Sequence, residues 1–402
     1  MRPSKEDDKK SRRAKSLAAL WRRVKQHPLA KLGPGLVTGA ADDDPSGIAT
    51  YSQAGAQGGF NLLWTVVLTW PLMVAVQSIS ARIGRVTGRG LAGNMVLVFP
   101  RPVVSVLVLL LFIANTINLG ADLAAMGAAA KLMIGIGSPH LYTFGFAVFS
   151  LLAVVFIPYH RYVGLLKWFT FSLLAYIGVV FTVKIDWHAV VVGAFVPKFE
   201  LSGDSLTLVV AIFGTTISPY LFFWQSSQEV EDEEADPDAG PLIDRPEQAN
   251  RELNRIGWET WLGMAMSNGI AFFIMLTTAV TLHAAGKTDI QTAEQAAEAL
   301  KPIAGNAAFF LFSLGLIGTG LLAIPTLTGS AEYALAETFA WREGLDQRFR
   351  GARPFYLVII VSTLIGVAMD FLKVNPVRAL LDGGDQRSAR ACSSSRNRHC
   401  FA

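Results

Sequence analysis

The residues with the most chemistry to offer lie in Gly33-Pro-Gly-Leu-Val-Thr-Gly-Ala-Ala-Asp-Asp-Asp-Pro-Ser-Gly-Ile-Ala-Thr-Tyr51, where three carboxylates, a proline and small residues interrupt an apolar run. A charge at bilayer depth costs roughly 2.5–3.5 kcal/mol on insertion scales, so such residues usually face a cavity and mark a pathway. Pro45 lacks an N–H and clashes with the preceding turn, while Gly47 tolerates unusual backbone angles, so a helix here is expected to break at Asp44 to Gly47. A break frees carbonyl oxygens beside the carboxylates. Both are the hard ligands that divalent cations prefer, and interrupted helices near the midplane are where transporters hold substrate and ions. The chemistry these residue types allow is cation binding, with Asp44 the first candidate and Asp42 and Asp43 beside it. The alternative is a water-exposed helix cap, a position that Asp favours.

A second run of this kind, Gly214-Thr-Thr-Ile-Ser-Pro-Tyr220, is expected to interrupt another apolar segment at Pro219. Asp122 sits in a third long apolar stretch, either as a proton relay or as a carboxylate hydrogen-bonded within a bundle. The run Glu229-Val-Glu-Asp-Glu-Glu-Ala-Asp-Pro-Asp238 reads as solvated charge or as an acidic vestibule that concentrates metal. Small residues in Gly315-Leu-Ile-Gly-Thr-Gly320 suit close helix packing, or a hinge. Trp224 and Met126 read as packing or lipid contacts, and His140 and His283 as exposed loop histidines near the outer boundary.

What must position these residues is a set of apolar segments, each near the ~20 residues that cross a bilayer as helix. The first covers residues 35 to about 60 around the expected break, and the second 62–83. Arg82, Arg85, Arg89 and Arg101 mark a basic connection to the third segment, 102 to about 134. The fourth is 140–158; His160, Arg161 and Lys167 lie in the connection to the fifth, 165–183. Residues 184–204, with few positive charges, lead to the sixth, 206–228, which contains the second break. The seventh is 258–282, a small-residue loop runs through Lys301, and the eighth is 307 to about 339. Arg342, Arg348, Arg350 and Arg353 precede the ninth, 355–372. Basic and non-basic loops alternate, which places the N-terminus and the loops after segments two, four, six and eight on the cytoplasmic side.

Composition agrees with that layout. The 402 residues are 52% hydrophobic and 16% charged, with a mean hydropathy of +0.40, whereas globular chains carry about 25% charged residues. A multi-pass protein of a bacterial inner (plasma) membrane is expected, and a soluble core is not. The net charge of +4 lies in the loops between segments and calls for no nucleic-acid partner; the expected partners are a divalent metal ion and the lipid bilayer, with no cofactor. Two cysteines, Cys392 and Cys400, give neither a disulfide framework nor metal-ligand spacing. Arg2, Lys5, Lys9, Lys10, Arg12, Arg13 and Lys15 precede any long apolar run, and no short cleavable core follows. Residues 1–32 therefore read as a retained cytoplasmic extension, either solvated or, over residues 17–25, an amphipathic helix on the inner membrane surface.

Two interrupted segments, the first and the sixth, sit five apart and run in opposite directions. That spacing points to an inverted-repeat transporter with its site at the repeat interface. Residues 33–204 form the first repeat on this reading and 205–380 the second.

Here the motifs resemble a known family. Gly33-Pro-Gly followed by Asp44-Pro-Ser-Gly-Ile-Ala-Thr50 is similar to the first-helix signature of the natural resistance-associated macrophage protein (NRAMP) metal transporters, in which D-P-G-N precedes I-A. Gly214-Thr-Thr-Ile-Ser-Pro-Tyr220 resembles their sixth-helix G-A-T-V-M-P-H, and Ala121-Asp-Leu-Ala-Ala125 their third-helix T-D-L-A-E. The resemblance extends in order from about Leu32 to Arg378. It implies an all-α polytopic membrane protein with a LeuT-like inverted repeat and broken first and sixth helices. It also implies that Asp44 is the metal-binding carboxylate and that the backbone carbonyl of Thr215 joins the site.

Three departures matter: the family's asparagine is Gly47 here, its methionine Ser218 and its histidine Tyr220. Losing the thioether removes the soft ligand that favours softer metals, and Ser218 offers an oxygen instead. Gly47 enlarges the space, so a small cation can keep part of its hydration shell, as Mg²⁺ tends to do. The pattern is similar to the NRAMP-related magnesium transporter branch, with Mn²⁺ also compatible. In the family, the third-helix acidic pair and the sixth-helix histidine are associated with proton movement. Asp122 remains, but Ala125 and Tyr220 replace the others, and a tyrosine titrating near ~10 is a poor proton carrier. Asp43, Asp122 and Tyr220 are retained as pathway candidates in a transporter without strong proton coupling; proton-coupled Mn²⁺ or Fe²⁺ transport is the alternative.

After Lys373-Val-Asn-Pro-Val-Arg-Ala-Leu380 the resemblance leads one to expect a tenth hydrophobic helix, yet residues 381–402 are polar. With nine segments and a cytoplasmic N-terminus this tail, with Arg387, Arg390, Arg396 and Arg398, falls outside, against the positive-inside trend. The fold is therefore read as truncated after about nine helices, through a shifted frame or a shortened gene, with a real extracytoplasmic tail as the alternative. Two other functions compete with transport. One is a non-transporting family remnant. The other is an intramembrane aspartyl protease using Asp44, Asp122 or Asp370, which needs two carboxylates sharing a proton at close range. Asp370, near the outer end of segment nine, is poorly placed for that.

Overall fold

The computed structural model describes residues 33–157, 177–178, 185–198, 203–290, 292–341, 344 and 352–372, and the regular elements among them are helical. In chain order they are α1 (Pro34–Asp42), α2 (Pro45–Gly58), α3 (Leu63–Thr87), α4 (Leu91–Val98), α5 (Arg101–Ile134), α6 (Pro139–Phe156), α7 (Trp187–Phe195), α8 (Gly203–Thr216), α9 (Pro219–Glu234), α10 (Ala249–Thr278), α11 (Ala293–Phe339) and α12 (Arg353–Phe371). A π turn, Ala279–His283, ends α10. Seven stretches among the described residues are long and apolar enough to cross a membrane. The N-terminal extension, nearly all of the expected fifth segment and the tail after residue 380 lie outside the described residues.

Both expected interruptions are present, and both have one steric cause. The ring of a proline pushes the preceding residue out of the helical region, so Asp44 (φ −69, ψ 163) and Ser218 (φ −78, ψ 127) are extended, while Pro45 and Pro219 open α2 and α9. The first break differs in position from the expected Asp44 to Gly47. It falls at Asp43 and Asp44, and Gly47 lies in the first turn of α2. Proline suits the first helical position because its missing N–H is not needed there.

Two short helices occupy stretches read as connections. With 8 and 9 residues, α4 and α7 are too short to register as spans. The loop expected up to Lys301 is helical from Ala293 onward. Thr292 caps α11 by accepting from the Gln295 N–H at 3.4 Å, and the helix is bent at Gly305, whose φ of 85 is a left-handed value open to glycine.

Small residues set the packing around the breaks. A Cβ on Gly39 of α1 would overlap the backbone of Gly263 on α10, and one on Gly263 would overlap Gly35. Lipid is as apolar as leucine, so such close backbone approach is what draws helices together in a bilayer. Gly320 of α11 leaves room for side chains instead, lying against that of Met126 of α5 and the ring of Pro45. Trp224 and Met126 are buried in one apolar cluster with Val37, Ala40 and Ala41 of α1, as packing residues.

The acidic run divides into two parts. Glu229 to Glu234 continue α9, with Glu229 and Glu233 buried, whereas Glu234, Asp236 and Asp238 are exposed. Arg85 of α3 donates to Glu233 at 2.6 Å and to Gly240 O at 3.0 Å. Arg255 of α10 donates to Glu229 at 2.5 Å, Glu252 at 2.9 Å and Glu259 at 3.0 Å. This end of α9 is thus tied to α3 and α10 by ion pairs, and the solvated-run reading is corrected for Glu229 and Glu233. His140 is likewise more than an exposed loop residue: its Nδ1 lies 2.7 Å from Asp370 Oδ2 and its ring stacks on Phe371, joining α6 to α12.

Candidate metal site

Asp42, Asp43 and Asp44 are 1%, 0% and 2% exposed, so the water-exposed cap is excluded. Asp44 is nevertheless a cap, a buried one. Its Oδ1 accepts from the Gly47 N–H at 2.6 Å and from the Ser46 hydroxyl at 2.8 Å, both in the first turn of α2. Its Oδ2 accepts from other elements: Asn118 Nδ2 of α5 at 3.0 Å and the Tyr220 hydroxyl of α9 at 3.4 Å. Tyr220 also reaches Ala41 O at 3.2 Å, joining the start of α9 to the end of α1.

Gly47 marks the point where the two breaks meet. A Cβ there would stand 3.1 Å from Asp44 Oδ1, 3.3 Å from Thr215 Oγ1 and 3.5 Å from Asp42 O. Three oxygens, from α1, the break and α8, therefore surround one small space. The Thr215 side chain faces that space, whereas the resemblance implied its carbonyl. Ser218 lies at the second break, where its hydroxyl bonds Thr215 O at 2.7 Å and Gly214 O at 3.1 Å. Ser218 therefore bonds the carbonyl with which it is expected to share the site, and its lone pairs remain available as acceptors.

Asp122 is brought to the same place. Its Oδ1 accepts from the Ser46 N–H at 3.2 Å, so Ser46 bridges Asp122 and Asp44. The other oxygen, Oδ2, is buried with no hydrogen-bond partner among the described residues, and so are Asp42 Oδ1 and both oxygens of Asp43. The remaining Asp42 oxygen takes a short hydrogen bond from Ser267 of α10. Burying an ionised carboxylate is costly unless it is paired, and buried polar atoms without partners call for a reason. Here four such oxygens gather beside one helix break.

Sequence reading singled out Asp44, Gly47, Thr215 and Ser218, with Asp43, Asp122 and Tyr220 as pathway candidates, and the structure brings these residues together around the two breaks. It missed Asn118, Ser267 and Tyr51. The Tyr51 hydroxyl lies 3.0 Å from Thr216 Oγ1, whose own proton goes to Ile212 O at 2.7 Å, so Tyr51 is the donor. The one signal for Asn118 is its place one turn before Asp122 on the same apolar segment. Among the described residues, no three His, Cys, Asp or Glu side chains converge on a metal position. The oxygen set is mixed: one carboxylate, a hydroxyl and a backbone carbonyl.

Two helix pairs interrupted at X-Pro, with buried acids meeting between them, define a membrane transporter of the inverted-repeat, broken-helix class. Solved structures bear out the fold. The chain superposes on the Eremococcus coleocola manganese transporter in complex with an aromatic bis-isothiourea substituted compound with a TM-score of 0.67 at 18% identity, covering 90% of this chain and 75% of that one. On Mhp1, a nucleobase-cation-symport-1 family transporter in a closed conformation, the TM-score is 0.61 at 15% identity, covering 88% and 74%. The family described as natural resistance-associated macrophage protein-like matches residues 35–382, and the chain belongs to it. Among its relatives, the divalent metal cation transporter MntH of Klebsiella pneumoniae (strain 342) is 28% identical over 335 residues, 79% of this chain and 74% of that protein. MntH of Yersinia pestis (strain Pestoides F) is 28% identical over 319 residues, 77% and 73%.

Proposed function

We propose that this protein carries divalent metal cations across a membrane, binding them between the two helix breaks with Asp44 as the carboxylate ligand. The observation that carries this reading is the space at Gly47, where the Asp44 carboxylate, Thr215 Oγ1 and Asp42 O approach a common point from both sides of the fold. Oxygen from a carboxylate, a hydroxyl and a carbonyl is a hard donor set. Ser218 adds a further oxygen position, and Gly47 leaves room for a water of hydration. These features support Mg²⁺ or Mn²⁺ as cargo. The names of the MntH relatives and of the manganese transporter support the class of substrate.

Weak coupling to protons is part of the reading, since Tyr220 occupies a position next to Asp44 and a phenol does not titrate near neutrality. A second reading, proton-coupled Mn²⁺ or Fe²⁺ transport, is favoured by one observation: Asp122 keeps an oxygen without a partner while touching Ser46, which touches Asp44. The protease alternative loses Asp370, which is paired with His140.

Proteoliposomes reporting Mg²⁺, Mn²⁺, Ca²⁺ and Cd²⁺ entry together with internal pH test all of this. Wild-type protein is expected to admit Mg²⁺ or Mn²⁺ with little acidification, and Asp44→Ala to abolish the flux. Wild-type flux in Asp44→Ala would overturn the site, preference for Cd²⁺ the hard donor set, and stoichiometric acidification the uncoupled mechanism.

A further inference from the structure

The four donors on Asp44 are of two kinds. Those on Oδ1, from Ser46 and Gly47, belong to the turn that Asp44 itself caps. Those on Oδ2 come from elsewhere in the bundle, Asn118 at 3.0 Å and Tyr220 at 3.4 Å. A carboxylate has about four acceptor positions, so a cation reaches Asp44 only by taking the place of a donor. Oδ1 cannot release its donors without undoing the start of α2. Oδ2 can, because its donors stand on α5 and α9.

Asn118 is suited to that exchange by its chemistry. An amide carries two N–H donors at one end and an acceptor oxygen at the other, of nearly the same shape. Its last torsion is broad and roughly two-fold, so turning it over costs little. The backbone around it is held at a fixed level. One turn earlier Asn115 Nδ2 bonds Leu327 O and Ser330 Oγ of α11, each at 2.8 Å, and one turn later Asp122 accepts from Ser46. The amide can therefore rotate in place while α5 stays where it is. Gly47, across the same carboxylate, has no side chain to offer.

We infer that Asn118 is a specificity-determining residue of the cation site. When a cation binds Asp44 Oδ2, the amide turns over, the N–H bond to Asp44 is given up, and Oδ1 of Asn118 faces the ion or a water in its shell. A hard amide oxygen thus reaches the site from α5. This rests on the reading of Asp44 as the cation carboxylate, and the experiment separates the two.

Apparent KM and maximal rate for Mg²⁺ and Cd²⁺ entry are measured in proteoliposomes for wild type, Asn118→Ala, Asn118→Asp and Asp44→Ala. Asn118→Ala is expected to raise KM for Mg²⁺ by about 10- to 100-fold, more than for the softer Cd²⁺, with the maximal rate changed less than about two-fold. Asn118→Asp keeps an oxygen and has no N–H to withdraw, so its KM is expected at or below the wild-type value. An unchanged KM in Asn118→Ala, or equal losses for both ions in both variants, overturns the inference, since a bond that merely holds α5 in place does not alter ion preference. If Asn118→Ala is not recovered as monodisperse protein, the Asp variant decides alone: a raised KM overturns the inference and a KM at or below wild type upholds it. Loss of flux in Asp44→Ala with no effect at Asn118 removes this inference and leaves the transport reading standing. Wild-type flux in Asp44→Ala removes the transport reading itself, and the inference with it.

Discussion

Gly47 shows how stability and function pull apart at a single residue. A glycine in the first turns of a helix is replaced by alanine with a gain of up to about 1 kcal/mol in helix propensity, and α2 has no backbone angle at that position that only glycine can adopt. Its methyl group would nevertheless stand 3.1 Å from Asp44 Oδ1 and 3.3 Å from Thr215 Oγ1, in the space between the oxygens. Gly47→Ala is therefore expected to keep or raise the thermal unfolding midpoint while lowering apparent cation affinity about ten-fold or more. Equal affinity in vesicle uptake would remove that space from the proposed path. Asp44 makes the same point from the other side. It is a cap of ordinary chemistry, but one sealed from water and furnished with acceptors that a cation can use.

Among the elements, α9 is bonded at both ends. Its start reaches Ala41 and Asp44 through Tyr220, and its far end carries Glu229 and Glu233 into the ion pairs with Arg255 and Arg85. Arg85 and Glu233 are 3% and 6% exposed at their side chains. Removing one member of a buried pair leaves an uncompensated charge and costs about 3–5 kcal/mol, whereas replacing both by apolar residues is often close to neutral. Arg85→Met is thus expected to lower the unfolding midpoint in detergent substantially, and Arg85→Met with Glu233→Leu to recover most of the loss. A double variant as unstable as the single one would show that Arg85 acts through Gly240 and Gln248 instead. At its start, α1 rests on the same cluster, since a Cβ on Gly33 would collide with the Glu259 carboxylate. One group of charges thus secures the ends of both broken segments.

For the whole molecule, the orientation proposed from the basic loops has a direct consequence. The exposed stretch around Asp238, between α9 and α10, belongs on the cytoplasmic side if segment six runs inward. In a chain with Cys392 and Cys400 changed to serine, Asp238→Cys is expected to resist a membrane-impermeant thiol reagent in intact cells and to react once they are permeabilised. Labelling in intact cells would invert the topology and with it the assignment of inner and outer ends. Together with the flux measurements, this fixes which end of the site opens to the cytoplasm.

Hydropathy alone determined that the chain spans a membrane, because the cost of burying or exposing apolar surface is summed over about 20 residues in a row. The two breaks were equally legible, since proline acts on the residue before it and needs no distant partner; even so, the first lies at Asp43 and Asp44 because the steric clash falls ahead of Pro45, and Gly47 merely continues the helix. The short helices α4 and α7, the division of the acidic run and the pairing of His140 with Asp370 were not legible. Nor were the groups that surround the candidate carboxylates. Asn118 meets Asp44 across 74 positions and Ser267 meets Asp42 across 225. Such contacts depend on how closely helices approach, which Gly39, Gly263 and Gly320 decide through packing in three dimensions. The sequence could therefore point to Asp44 as the candidate carboxylate, while only the tertiary structure could name the residues that surround it.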